Sequence, residues 1–234
     1  MRAQGSFGTP VGGSAARRCV WVLVVSTALL TACESRSPLR IRPGPVVESS
    51  QDAKTTEALK LVAVVPFQPR TLTGRSIGTT QKVSWDSAAL VSSYFADALV
   101  ARGVQVIPPS DLAGAFANQG DVVPRQNARV TAEKARRDFG ATAVVIGTLN
   151  RWREREGSAA GAKQPASIAF EVSLHEAPSG RRLWSGRFDE TQKSITESIF
   201  RARQYPGGGT RWLSAEEFAR WGADETAKSM TLRP

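Results

Sequence analysis

At 234 residues, with 41% hydrophobic and 22% charged content, the chain is long enough for one ordinary domain plus a targeting segment and too apolar for wholesale disorder. Its formal net charge of +10 suits anionic phospholipid heads, lipopolysaccharide, cell-wall carboxylates or an acidic protein, and singles out none of them. One histidine and two cysteines exclude a His-rich metal site and leave no cysteine framework for a disulfide-stapled fold.

Arg17-Arg18 form a positive leader, and the apolar run from Cys19 to Leu30 follows it. That run falls short of the roughly 20 residues that carry a helix across a bilayer core, so it reads as a secretory signal rather than a membrane span. Leu30-Thr31-Ala32-Cys33 resembles the bacterial lipobox. The resemblance implies diacylglycerol on the Cys33 thiol, cleavage before Cys33, and a further acyl chain, of the palmitate kind, on the new α-amine. Several acyl chains make a stable anchor, each buried CH2 contributing about 0.8 kcal/mol. Glu34 departs from the aspartate associated with inner-membrane retention, which points to the outer membrane and a periplasmic domain. Removing residues 1–32 takes away three arginines and no acid, leaving 28 basic against 21 acidic residues.

Residues 33–57 are rich in Ser, Arg, Pro and Gly and read as a lipidated tether. The folded domain is expected over 58–234. Leu59 to Phe67 is a nearly continuous apolar run and predicts a strand buried on both faces. Residues 70–84 predict a long loop. From Trp85 to Val100 the spacing turns helical, with Leu90, Val91, Tyr94, Phe95, Ala98 and Leu99 on one stripe. Gly103 stops it, and Val104–Ile107 is a short strand. Ser110 or Asp111 caps a short helix, and Thr131 is the expected N-cap of another, ending at Gly140.

A second buried strand runs from Ala141 to Leu149 and continues towards Glu156. Alternation over Ile168–Leu174 and Trp184–Phe188, with Pro178-Ser179-Gly180 between, predicts a hairpin. After the break at Gly207–Gly209, Ser214 and Glu217 form a capping box that opens the last helix. The order is βαβααβββα: a single α/β domain, its mixed sheet packed with helices.

No nucleophile elbow, phosphate loop or dinucleotide fingerprint occurs. His175 falls on the polar register of its strand, where it reads as a solvated sheet residue. The expectation is a non-enzyme with no catalytic residues, metal or cofactor. One segment stands out: Arg151, Arg153 and Arg155 alternate with Trp152, Glu154 and Glu156. On a regular strand three guanidiniums share one face and the aromatic takes the other, a composition favoured at interfaces. The other reading is a charged edge strand that resists aggregation. Arg151, Trp152, Arg153 and Arg155 are therefore the candidate partner-binding residues, facing solvent. Nucleic acid is excluded by compartment.

Val62-Ala-Val-Val-Pro-Phe67, Ala96-Asp-Ala-Leu99, Gly103-Val-Gln-Val-Ile107, Phe139-Gly-Ala-Thr-Ala-Val-Val-Ile-Gly147 and Leu183-Trp-Ser-Gly-Arg187 together form a pattern of core strands and glycines. The pattern, over about residues 59–191, resembles a group of bacterial envelope lipoproteins. That group includes the curli-secretion lipoprotein, the penicillin-binding-protein activator lipoprotein and the amino-terminal domain of the Tol–Pal propeller protein. The resemblance implies a non-catalytic module that engages an envelope protein, or else a subunit of an oligomeric outer-membrane secretion complex. The long amphipathic hairpin needed for a curli-type pore is missing from the sequence.

Overall fold

In the computed structural model the chain divides into two units, Met1–Arg42 and Pro43–Pro234. The residues described here, 45–50, 60–70, 83–117 and 127–230, all belong to the second. Cys33, the signal segment and most of the 70–84 stretch lie outside the described residues.

The chain's most apolar runs lie towards the middle of the sheet. Strand β2 (Leu61–Val64) pairs in parallel with both β4 (Gln105–Ile107) and β5 (Ala143–Arg153). Val62, Ala63 and Val64 are accordingly fully buried, which explains why their run is continuous rather than alternating. A two-residue β3 (Gln68–Pro69) also joins β5. Strands β8 (Ser167–Glu176) and β9 (Arg182–Thr191) extend the sheet antiparallel, and a small β6–β7 ladder (Glu156–Gly157, Ala162–Gln164) stands apart. The sheet order is β1-β9-β8-β5-β2-β4. The sheet is mixed, as the sequence predicts, with short strands added to the expected order.

Strand β1 (Val46–Ser50) lies in the stretch expected to be tether, and it pairs antiparallel with β9. Its sequence has only Val46-Val47 as a strand signal; the backbone partners come from β9, some 140 residues along the chain, which no local pattern announces.

Helix α1 (Trp85–Val100), capped by Ser84, buries Val91, Tyr94, Phe95, Ala98 and Leu99, while Leu90 is 41% exposed and lies off the stripe. It packs on one sheet face beside the last helix, α5 (Ala215–Ser229), whose Ser214–Glu217 capping box is present. Val64, Val145 and Phe170 are fully buried in the core between these helices and the sheet. Helices α2 (Pro109–Ala117) and α3 (Ala128–Phe139) bring Leu112, Phe116, Ala132 and Ala135 to a second core on the opposite face, with Ala63, Val65 and Val144. Asn127 rather than Thr131 caps α3: its side chain accepts from the Val130 N–H, and Thr131 is buried within the helix. Two close approaches need glycine. A Cβ on Gly147 would sit 2.5 Å from the Phe67 ring, and one on Gly222 of α5 would sit 2.8 Å from Phe188.

Candidate binding site

The site lies at the pole of the sheet where β5 ends, β8 begins and β9 ends. Its framework is set by one extra residue. Leu149 pairs with Phe170 and Arg151 with Ala169, so Asn150 is a β-bulge that shifts the register. Beyond it Trp152 lies opposite Ile168 and packs against the main core, with Arg151 and Arg153 on the other face.

The candidate arginines do not stand free in solvent as the sequence suggests. The Arg151 Nε donates to Ser167 Oγ at 2.7 Å, and its Nη2 pairs with Asp189. Burial acts to raise the Asp189 pKa, yet the Arg151 and Arg187 guanidiniums together hold it below the ordinary value. Arg155 Nη1 donates to the Trp212 carbonyl. Arg153 Nε is buried without a hydrogen-bond partner. Glu154 accepts from the Ala215 N–H at 3.0 Å, placing a carboxylate at the N-terminus of α5, where the helix dipole favours it. The segment is thus locked to the body of the fold by its own polar groups; the expectation that Arg153 and Arg155 face solvent is overturned. The cause is the segment 192–213, which folds back over this strand.

That segment is itself pinned from below. The buried Gln192 amide donates to the Arg211 carbonyl and accepts from the Leu213 N–H, both at 2.8 Å. The buried Tyr205 hydroxyl donates to Glu190 at 3.1 Å and accepts from the Lys193 N–H at 3.2 Å. Burial, with the Glu190 carboxylate nearby, pushes this phenol far up and keeps it protonated. The Tyr205 ring meets Phe218 and Trp221 edge-on. The first residues of α5 are fixed in turn by Arg211, whose guanidinium donates twice to Glu217. This pair, with the Ser214 N–H, lowers the Glu217 pKa to about 2.

Two adjoining clefts open against this framework. One, of about 470 Å³, is lined by Lys163, Pro165, Lys193, Glu197 and Trp212, among others. The other, of about 160 Å³, shares Lys193 and Trp212 and extends to Ile195, Gly209 and Arg211. Neither Lys163 nor Lys193 forms an ion pair among the described residues. The sequence reading passed over these residues because 192–213 has no helix or strand period. The signal available was Arg211-Trp212 directly ahead of a helix cap.

Ser194 and Glu197 also line the larger cleft, the Ser194 hydroxyl donating to the Glu197 carboxylate at 3.2 Å. His175 sits at the opposite pole, its Nδ1 3.0 Å from the Gly180 carbonyl and its Nε2 2.9 Å from Ser173 Oγ. Burial lowers its pKa, so the ring is neutral and braces the hairpin. Among the described residues no group of three His, Cys, Asp or Glu side chains is placed to hold a metal.

No protein-family model matches the chain, and comparison with curated proteins returns no match. Solved structures do match. The PelC dodecamer from Paraburkholderia phytofirmans is 18% identical over 81% of this chain and 98% of that one, with a TM-score of 0.47. Lipoprotein GNA1162 from Neisseria meningitidis is 18% identical over 57% and 83%, with a TM-score of 0.43. The LpoB C-terminal domain from Escherichia coli is 18% identical over 58% and 85%, with a TM-score of 0.37. One of these neighbours is a lipoprotein by name.

Proposed function

We propose that the chain is a lipid-anchored binding module of the bacterial outer membrane, held through Cys33, whose periplasmic domain engages an envelope protein without catalysing a reaction. The observation that carries the reading is the cleft beside Trp212. It joins an indole and apolar side chains to two ammonium groups with no ion-pair partner among the described residues, and its Ser194 and Glu197 have no histidine beside them. Aromatic contact with flanking cations suits an acidic segment of a protein partner. Arg151, Trp152, Arg153 and Arg155 contribute by holding the floor: Trp152 from the core, Arg155 through the Trp212 carbonyl. Preorganisation of this kind lowers the entropy lost on binding.

The test is in-cell photo-crosslinking from a benzoylphenylalanine placed at Thr210, which lines the smaller cleft. A single envelope protein is expected as the adduct. In the Lys163→Glu/Lys193→Glu background its yield should fall severalfold, with the thermal midpoint unchanged because both lysines are exposed. Adducts containing only further copies of this chain would favour a subunit of an oligomeric secretion complex. An adduct yield indifferent to the charge reversal would sink the cleft as the contact site.

A further inference from the structure

Ile195, Ile199 and Phe200 fall within six residues and are exposed by 43%, 43% and 80%. Of the other exposed large hydrophobics among the described residues, Trp85, Leu90 and Val100 are spaced along the whole of α1, and Val130 lies on α3. We propose that this trio is a membrane-contacting ledge, seated in the headgroup layer of an anionic phospholipid leaflet. The proposal rests on the anchor reading above and goes beyond it by assigning the face that meets the membrane.

The ledge is firmly built. Ser198 N–H donates to the Ser194 carbonyl at 3.1 Å, Ala202 N–H to Ser198 at 2.9 Å and Arg203 N–H to Ile199 at 3.2 Å. The first bond closes a turn at 195–197, and after the extended cap Ser198 the others belong to helix α4 (Ile199–Ala202), which carries Ile199 and Phe200. Ala202 and Tyr205 root the turns in the core. A small apolar projection on a fixed support suits an interface whose partner is fluid. It is too small to nucleate the roughly 1,200–2,000 Å² that a stable protein interface buries.

Charge and topology choose the same occupant. Lys193 and Arg203 flank the trio and are exposed; the acid among them, Glu197, is engaged by the Ser194 N–H at 2.8 Å. Two exposed cations against one exposed carboxylate leave a net positive charge beside an apolar tip, which suits an anionic leaflet. Strand β1 pairs with β9 so that Val46 faces Phe188 and Ser50 faces Trp184. The chain therefore enters the sheet at the end where β9 finishes at Thr191 and passes into the ledge. Twelve residues separate Cys33 from Val46, which reach at most about 45 Å when fully extended. An acylated Cys33 thus tethers the domain by the very pole that carries the ledge, and the Pro178–Gly180 turn at the other pole faces the periplasm.

Spin-label depth measurements test this. Acylation consumes the Cys33 thiol and Cys19 leaves with the signal, so Phe200→Cys or Ser179→Cys is the sole free thiol of the mature lipidated chain. Each variant is labelled with a nitroxide and reconstituted in phosphatidylethanolamine–phosphatidylglycerol vesicles. At position 200, collisions with oxygen should dominate those with a water-soluble nickel complex; at 179 the reverse should hold. Equal, water-like access at both positions overturns the ledge. Dipolar broadening between labels at 200 overturns it in favour of a second copy. Intact mass reports acylation separately. If Cys33 is unmodified, the anchor reading fails, and the ledge is judged by phosphatidylglycerol-vesicle sedimentation, which Phe200→Ser should then abolish; sedimentation equal to wild type overturns it.

Discussion

Glu217 has two duties in one carboxylate. It closes the α5 capping box by accepting from the Ser214 N–H, and it pairs with both Arg211 nitrogens in front of the clefts. Its pKa is lowered to about 2 from an ordinary 4.5, with the Arg211 hydrogen bonds as the largest cause. A depressed acid contributes stability that is complete above the unfolded value and is lost as pH falls through the folded one. The relevant window therefore runs from about pH 4.5 down to about 2. Denaturant unfolding of wild type and Glu217→Gln should show a stability gap at pH 6 that narrows below about pH 4.5 and closes only as pH falls through about 2. Because the carboxylate is 42% exposed, solvent screens the pair and the gap should be modest and shrink in salt. A gap that persisted unchanged into acid would mean that the carboxylate charge contributes nothing. By contrast, His175 is half-buried rather than fully solvated, and both of its ring nitrogens are engaged, by the Gly180 carbonyl and Ser173 Oγ.

Packed elements carry the largest energetic stakes. Phe170 of β8 stacks on Phe188 of β9 at 5.2 Å between ring centroids, and Phe188 in turn meets Phe218 and Trp221 of α5 edge-on. Phe170→Ala should cost about 3–5 kcal/mol, read from equilibrium unfolding, since it removes a fully buried ring from one end of this stack. A loss under 1 kcal/mol would mean the strand faces are reversed. Much of this element layer could be read in advance. The runs Val62–Val65 and Ala143–Leu149 are apolar without alternation because strands or helices cover them on every side, and Ser214 with Glu217 announces α5 through purely local chemistry. The parts that escaped notice depend on distant partners. The Asn150 bulge exists only relative to β8, so the local sequence shows a regular alternation that sends the arginines to solvent. The cleft is assembled by bonds such as Gln192 to Leu213, 21 residues apart, across a stretch with no period at all.

At the scale of the whole molecule, the proposed location rests on one residue, Cys33. Cys33→Ser should leave the protein in the soluble periplasmic fraction, or uncleaved at the inner membrane, with slower processing seen as a shift in gel mobility. A variant that co-fractionates with outer membranes at wild-type mobility would remove the anchor from the proposal. If the anchor holds, the pairing of β1 with β9 takes on a mechanical meaning. Tension between an acylated Cys33 and a load applied at the hairpin pole, away from the clefts, travels along the β1 axis, because that strand begins at the tethered end. Ladder hydrogen bonds lie across the strand, so such a pull strains the pairs from Val46 to Ser50 together instead of peeling them apart one after another. The edge strand is then a shear joint, and a force that would unzip a strand entering from the opposite end must here break its whole length at once.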